Sequence, residues 1–225
     1  LSWVSLYGNY IEGLEAGIIV PQIASNAGQV MPAALSEQRE FGVKLEPMRG
    51  LLITGAYFDI DRASSYLNAA NLYVRDGEAN YSGFEFSATG EVVENLSVSL
   101  SGIFLDAKQK SGSATVRGKR IENTSKFSGS VFAEYSIEAL DGLKVSAGAF
   151  RVGKRAANAV NSAFVPGYTT YDLGLRYEME YAEKPLSLRL YAENVTGKKY
   201  WAATGSSLLQ QNVPSNVKLS VSTSF

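Results

Sequence analysis

The feature that most constrains the fold is a period-two alternation of apolar and polar side chains. In residues 217–225, Val217, Leu219, Val221 and Phe225 share one parity, while a lysine and serines occupy the positions between them. Because successive side chains of a β-strand point to opposite faces, this pattern predicts a strand with one apolar and one polar face.

The same alternation recurs in segments along most of the chain. We predict ten strands, at residues 1–10, 37–46, 51–61, 72–90, 95–107, 122–137, 143–153, 166–180, 185–197 and 213–225. The apolar faces comprise Phe41, Val43 and Leu45; Phe84, Phe86 and Ala88; Val98, Leu100, Gly102 and Phe104; Phe127, Gly129, Val131, Ala133 and Tyr135; Leu143, Val145, Ala147 and Ala149; Tyr171, Leu173, Leu175, Tyr177 and Met179; and Leu186, Leu188, Leu190 and Ala192.

The predicted connections alternate between short and long. Short turns fall near residues 47–50, 92–95, 138–142 and 181–184, and long links near 11–35, 62–71, 107–120, 153–166 and 198–212. Short periplasmic turns and long extracellular loops are typical of outer-membrane barrels. The fold class is therefore predicted to be all-β, a transmembrane antiparallel β-barrel. An open edge in hydrocarbon costs several kcal/mol per unpaired group, so the sheet must close, either alone or within a larger barrel.

Composition excludes several classes of function. The chain has no Cys and no His, which removes thiolate metal sites and histidine-based catalysis. Its net charge is −1, which gives no signal for a nucleic-acid partner. No apolar run approaches the ~20 residues of a membrane helix. We expect no catalytic residue, no metal site and no cofactor.

Several motifs resemble those of TonB-dependent outer-membrane siderophore receptors. They occur in order over nearly the whole chain: Ser36–Lys44 (SEQREFGVK), Ala56–Ile60 (AYFDI), Gly77-Glu78 with Ser82–Glu85 (SGFE), Pro166–Gly174 (PGYTTYDLG) and Glu193–Tyr200 (ENVTGKKY), the last with Val195 where the family has Leu. The terminal Phe225 is similar to the residue that signals insertion into the outer membrane.

The resemblance implies a barrel of about 22 strands around an N-terminal plug domain. Residues 1–225 are then the C-terminal portion of the barrel, roughly its last ten strands, with the plug and its TonB-contact motif expected upstream of Leu1. The implied function is import of ferric siderophores through the outer membrane of a Gram-negative bacterium. The implied partners are the ferric siderophore, the chain's own plug domain, the TonB complex, and outer-membrane lipid with lipopolysaccharide.

Two sets of site residues follow from the loops and the strand parity. Candidate substrate-binding residues in the basic long links are Tyr200, Trp201, Arg120 and Lys119. The basic residues of these links could instead pair with lipopolysaccharide phosphates or be solvated. Candidate lumen- or plug-facing residues are Glu85, Asp172, Arg176, Arg189, Tyr191 and Glu193, for which a hydrated wall with ion pairs is the alternative.

Other functions stay open at this point. An importer of vitamins, sugars or haem and a passive porin share the same strand pattern. A ten-stranded protease resembling the omptins is disfavoured because that family uses an Asp–His pair and the chain has no His. A soluble β-sandwich is disfavoured because the apolar faces lack a second sheet to cover them.

Overall fold

The computed structural model describes residues 2–205, 208–212 and 214–223. Within these residues no helix is long and apolar enough to cross a membrane. The strands are β1 (Val4–Glu15), β2 (Ala34–Met48), β3 (Leu51–Leu67), β4 (Tyr73–Val93), β5 (Leu96–Ser111), β6 (Phe127–Ser136), β7 (Leu143–Val152), β8 (Arg155–Ala156), β9 (Phe164–Val165), β10 (Tyr168–Tyr181), β11 (Lys184–Glu193), β12 (Trp201–Gly205), β13 (Leu208–Gln211) and β14 (Asn216–Thr223).

Ten of these strands form one antiparallel sheet, here called the main sheet. Its order is β1-β2-β3-β4-β5-β6-β7-β10-β11-β14, so that each strand pairs with the next along the chain. The pairs β8-β9 and β12-β13 form two small separate hairpins. The predicted all-β antiparallel fold is confirmed. Because β1 and β14 stand at the two ends of the order, the described residues form an open wall and not a closed barrel.

The two ends of the main sheet differ in their connections. At one end lie tight turns, in which Gly50, Asn95, Ala182 and Glu183 have positive φ angles of 83°, 65°, 51° and 61°. Two successive residues with positive φ, as at Ala182 and Glu183, are typical of the type I′ hairpin turn. At the other end lie the connections 16–33, 68–72, 112–126, 153–167 and 194–215.

Four strands extend further into this second end than the sequence predicted. β1 continues to Glu15, β3 to Leu67 and β5 to Ser111, and β2 begins already at Ala34, so the predicted long link 62–71 shrinks to residues 68–72. In the other direction, β6 begins at Phe127 and not at residue 122. Backbone pairing continues past the apolar band, where the sequence no longer alternates between apolar and polar residues, as in residues 107–111 (AKQKS).

The register places every predicted apolar face on the same side of the main sheet. Directly paired residues of antiparallel strands share a face. One row runs Phe41, Tyr57, Phe84, Phe104, Phe127 across β2 to β6. A second row joins Leu175, Leu190 and Leu219 across β10, β11 and β14. Since these side chains are exposed, with Phe104 at 53% and Leu219 at 72%, this apolar face is not covered by any described part of the chain.

Phe86 packs beside two members of the aromatic row, Phe84 and Phe104. Its ring lies 6.3 Å from that of Phe84 and 6.2 Å from that of Phe104, measured between centroids. A Cβ atom at Gly102 would meet the Phe86 ring at 2.5 Å. The ring therefore packs over the bare backbone of Gly102, an arrangement that compensates for the missing side chain of a strand glycine.

Candidate functional site

The opposite face of the main sheet is polar and concave. Thr54, Ser87, Ser101 and Ser130 form one row at mid-height. The hydroxyl groups of Thr54 and Ser87 lie 2.7 Å apart, and those of Ser101 and Ser130 lie 2.9 Å apart. A concavity of about 580 Å³ runs along this row. Small hydroxyl side chains thus leave room on this face and satisfy one another in pairs.

Glu85 lies where this concavity meets a second one. The second, of about 320 Å³, lies nearer the long connections and is lined by Phe58, Tyr81 and Leu105 together with Glu85. Phe58 is 7% exposed, so this part of the polar face has an apolar floor. The structure thus places Glu85, whose side chain is exposed, on the border of both concavities and next to apolar side chains.

Asp172 and Tyr191 are brought into direct contact. The Tyr191 hydroxyl donates to the Asp172 carboxylate at 3.0 Å, and the backbone N–H of Asn194 donates to its other oxygen at 2.8 Å. Asn194 in turn closes a turn through its side chain with the backbone of Lys198. Asp172 therefore anchors the start of the last long connection.

The remaining predicted lumen-facing residues make polar contacts within the main sheet, and two of the three form ion pairs. Arg176 lies 3.1 Å from Glu134 and 3.6 Å from Glu178. Glu193 pairs with Lys218 of β14 at 2.6 Å, and Arg189 donates to the Ser187 hydroxyl at 3.4 Å. These contacts place Arg176, Arg189 and Glu193 on the polar face. Whether this face lines a lumen or contacts a plug stays a prediction.

Tyr200 and Trp201 line a recess of about 420 Å³ with Pro166, Gly167, Lys198, Lys199 and Gln211. The Tyr200 ring stacks on that of Tyr168, with centroids 3.6 Å apart and planes 12° apart. Trp201 is 48% exposed. An exposed indole beside two lysines can contact an anionic ligand that carries a flat apolar surface.

Arg120 and Lys119 lie in connection 112–126 and do not line this recess. Asn161 accepts from the backbone N–H of Arg120 at 2.8 Å and donates to its carbonyl at 2.9 Å. The guanidinium of Arg120 donates to the carbonyl of Lys154 at 3.2 Å. The exposed side chain of Lys119 stands beside it. Arg120 thus links connection 112–126 to connection 153–167, a role that the sequence did not suggest.

Arg155 is the residue that sequence reasoning missed. It belongs to the basic residues of the long links, yet it is only 9% exposed. Its contacts reach connection 112–126 through Asn123 and connection 194–215 through Trp201. No local pattern distinguishes it from its exposed neighbour Lys154, because its burial depends on segments distant in sequence.

The first two long connections are held by a separate set of contacts. The side chain of Asn26 accepts from the backbone N–H of Tyr73 at 2.9 Å and donates to its carbonyl at 3.0 Å. Glu15 pairs with Arg62 at 2.7 Å and with Arg75 at 3.3 Å. The hydrogen bond from Arg62 is the main cause that lowers the pKa of the Glu15 carboxyl, with the positive charges of both arginines adding to it.

Phe225 lies outside the described residues. Within the described ranges, no group of three or more acidic side chains is arranged to hold a metal ion.

The fold and the two-faced main sheet define a β-barrel wall, and sequence comparison identifies which one. The family model described as "TonB dependent receptor-like, beta-barrel" matches residues 1–195. This chain therefore belongs to the TonB-dependent receptor β-barrel family, as its motifs predicted. The relatives found are transport receptors and not enzymes.

Curated relatives cover nearly the whole chain. The ferrichrome receptor FcuA of Yersinia enterocolitica is 33% identical over 233 residues, which span 99% of this chain and 30% of that protein. The metal-pseudopaline receptor CntO of Pseudomonas aeruginosa is 26% identical over 88% of this chain and 29% of its own length. The chain thus spans about a third of the length of the relatives it matches.

Solved structures show the same fold. BauA, the ferric preacinetobactin receptor of Acinetobacter baumannii, superposes with a TM-score of 0.88 at 31% identity, covering 99% of this chain and 34% of that one. The ferric yersiniabactin uptake receptor FyuA of Yersinia pestis superposes with a TM-score of 0.84 at 19% identity, covering 100% of this chain and 36% of that one. The second likeness concerns the fold alone.

Proposed function

We propose that residues 1–225 form the C-terminal portion of the barrel of an outer-membrane receptor that imports ferric siderophores. The observation that carries this proposal is the continuous apolar face of the main sheet, exposed on a chain whose family consists of such barrels. An exposed apolar face of this size requires an apolar surrounding that covers it. Lipid provides it, while the polar, concave face lines an aqueous interior.

The height of the apolar face fits a membrane. Tyr171 and Tyr181 lie on the apolar parity of β10 and are 47% and 68% exposed. A rise of about 3.3 Å per residue and a strand tilt of about 40° separate them by roughly 25 Å along the barrel axis. That distance equals the apolar band of outer-membrane barrels, whose borders carry aromatic residues.

The proposed partners follow from the open wall. Strands β1 and β14 each need a neighbouring strand, which we assign to the upstream part of the barrel. We assign the polar concavity beside Glu85 to the plug domain, which also contacts the TonB complex. The recess at Tyr200 and Trp201, with Lys198 and Lys199, is proposed to contact the siderophore from the extracellular side. Arg120 and Lys119 are proposed to add positive potential there or to pair with lipopolysaccharide phosphates.

The test is iron uptake by the full-length protein. A strain that lacks the gene is complemented with the full-length gene and supplied with radiolabelled ferric ferrichrome or ferrioxamine B under iron limitation. We expect uptake of at least one ferric siderophore, and we expect it to vanish in a strain that lacks TonB. Uptake that persists without TonB indicates a passive porin. Uptake of a vitamin, a sugar or haem, with no ferric siderophore transported, overturns the substrate assignment.

A further inference from the structure

The most unusual group in the described residues is the guanidinium of Arg155. It is buried, and none of the ion pairs formed by the described residues includes it. One nitrogen donates to the side-chain oxygen of Asn123 at 3.2 Å, and another donates to the backbone carbonyl of Trp201 at 2.8 Å. The Nε atom has no hydrogen-bond partner there.

A buried cation without a carboxylate is costly, so its contacts must explain its presence. Removing a charge from water is repaid only by close and well-oriented partners. Here the partners are two neutral oxygens and the ring of Tyr168, whose centroid lies 5.8 Å from the guanidinium carbon. The planar fork of arginine holds its donors in fixed directions, so one guanidinium can serve two acceptors on different segments at once.

Those two acceptors belong to different long connections. Asn123 lies in connection 112–126, Arg155 in connection 153–167 and Trp201 in connection 194–215. The first two connections share further contacts, including the bond from the backbone N–H of Asn123 to the carbonyl of Ala156 at 3.0 Å. The third connection is joined to them by the Arg155–Trp201 bond, while the stack of Tyr200 on Tyr168 joins it to the start of β10.

We propose that Arg155 is a positioning residue that fixes the last long connection to the two before it, so that the three connections behave as one unit. Its bond to the carbonyl of Trp201 orients the segment that presents Tyr200 and Trp201 at the recess. The joining of the three connections does not depend on any ligand. The effect of Arg155 on siderophore affinity, in contrast, rests on the proposed function.

The test measures distances between the connections in the ligand-free, full-length receptor reconstituted in lipid. One pair of spin labels at Ala114 and Val160 reports the first two connections, and a pair at Val160 and Leu209 reports the last one; all three side chains are exposed. In Arg155→Met we expect the Val160–Leu209 distribution to broaden about twofold, while the Ala114–Val160 distribution stays narrow. General destabilisation broadens both, which overturns the proposal.

Two further variants make the test decisive. Arg151→Met removes an exposed arginine on β7, whose side chain, among the described residues, bonds only the Thr169 hydroxyl at 3.2 Å, and we expect both distributions to stay unchanged. Arg155→Lys keeps the charge but loses the planar fork that reaches both acceptors, so a smaller broadening is expected, confined to Val160–Leu209. If Arg155→Met does not assemble, Arg155→Lys alone decides. An unchanged Val160–Leu209 distribution in the assembled Arg155 variant contradicts the proposal.

Binding of ferric ferrichrome by the same variants separates this proposal from the proposed function. If wild-type receptor binds the probe, we expect Arg155→Met to weaken binding at least about fivefold and Arg151→Met to leave it unchanged. Unchanged affinity in Arg155→Met overturns the positioning of the recess. A wild-type receptor that binds no ferric siderophore counts against the proposed function, and the label distances still decide whether Arg155 joins the connections.

Discussion

The two faces of the main sheet are arranged in the opposite way to those of a sheet in a water-soluble protein. Leu100 and Ser101 are neighbours on β5, yet Leu100 belongs to an exposed apolar row and Ser101 to a row of hydroxyls beside a concavity of about 580 Å³. In a water-soluble sheet the large apolar side chains are covered and the polar ones exposed. The difference indicates that the face with large apolar side chains suits an apolar surrounding, and that the face with small polar side chains suits contact with water.

The largest expected effect comes from placing a charge on each face in turn. Leu100 lies midway along the apolar face of β5, so Leu100→Arg in the full-length receptor should destabilise the barrel by about 2–4 kcal/mol. The matched control, Ser101→Arg, lies on the polar face and should cost no more than about 1.5 kcal/mol, the loss of its hydroxyl contact with Ser130. Urea unfolding in lipid vesicles measures both. Equal losses for the two variants would abolish the distinction between the faces.

A medium effect is expected from the packing of Phe86 over Gly102. Phe86→Ala removes two aromatic contacts and should cost about 1–3 kcal/mol, at about 0.5–1.5 kcal/mol for each aromatic pair. Gly102→Ala should also destabilise the barrel, since its Cβ meets the Phe86 ring at 2.5 Å. In the double variant the added methyl group no longer meets the ring, so the two losses should not add. Strict additivity in urea unfolding would show that ring and glycine are independent.

The smallest expected effect is the titration of Glu15, at the end of the polar face where the long connections lie. Because Arg62 and Arg75 lower its pKa in the folded state, its stabilisation is present above its ordinary pKa of 4.5 and is lost as the pH falls below it. Arg62 is 49% exposed, so the contribution is only about 0.5–1 kcal/mol.

Glu15→Gln should therefore lower stability at pH 7 and lower it less at pH 3, because protonation of the wild-type carboxyl progressively removes the same ion pairs. The urea midpoints of both proteins at the two pH values measure this. A loss that is larger at pH 3 than at pH 7 has the wrong sign for a carboxyl with a lowered pKa.

The sequence predicted the part of the fold that depends on local pattern. Strict alternation in segments such as 171–179 and 217–221 fixes both the strand and its face, because a one-residue slip would move every side chain to the other side. The ends of the strands are harder to predict from the sequence. β3 reaches Leu67 through backbone pairing with β4, and this pairing leaves no apolar signature in Ser64 or Ser65.

The candidate site could be predicted only in part, for a different reason. Tyr200 and Trp201 were singled out by residue type, and the structure places them beside one recess. The burial of Arg155 and the role of Arg120 depend on contacts between connections that are distant in sequence. Residue type alone makes both arginines look like solvated loop cations, so only the folded chain reveals that they join segments.

The central claim, that one face contacts lipid and the other water, can be measured along a single strand. Cysteines placed one at a time at residues 97–104 of β5 in the full-length receptor are labelled with a small fluorophore and reconstituted in vesicles of brominated lipid. We predict strong quenching at Val98, Leu100 and Phe104 and weak quenching at Ser97, Ser99 and Ser101. Quenching that does not alternate with a period of two residues would contradict the account.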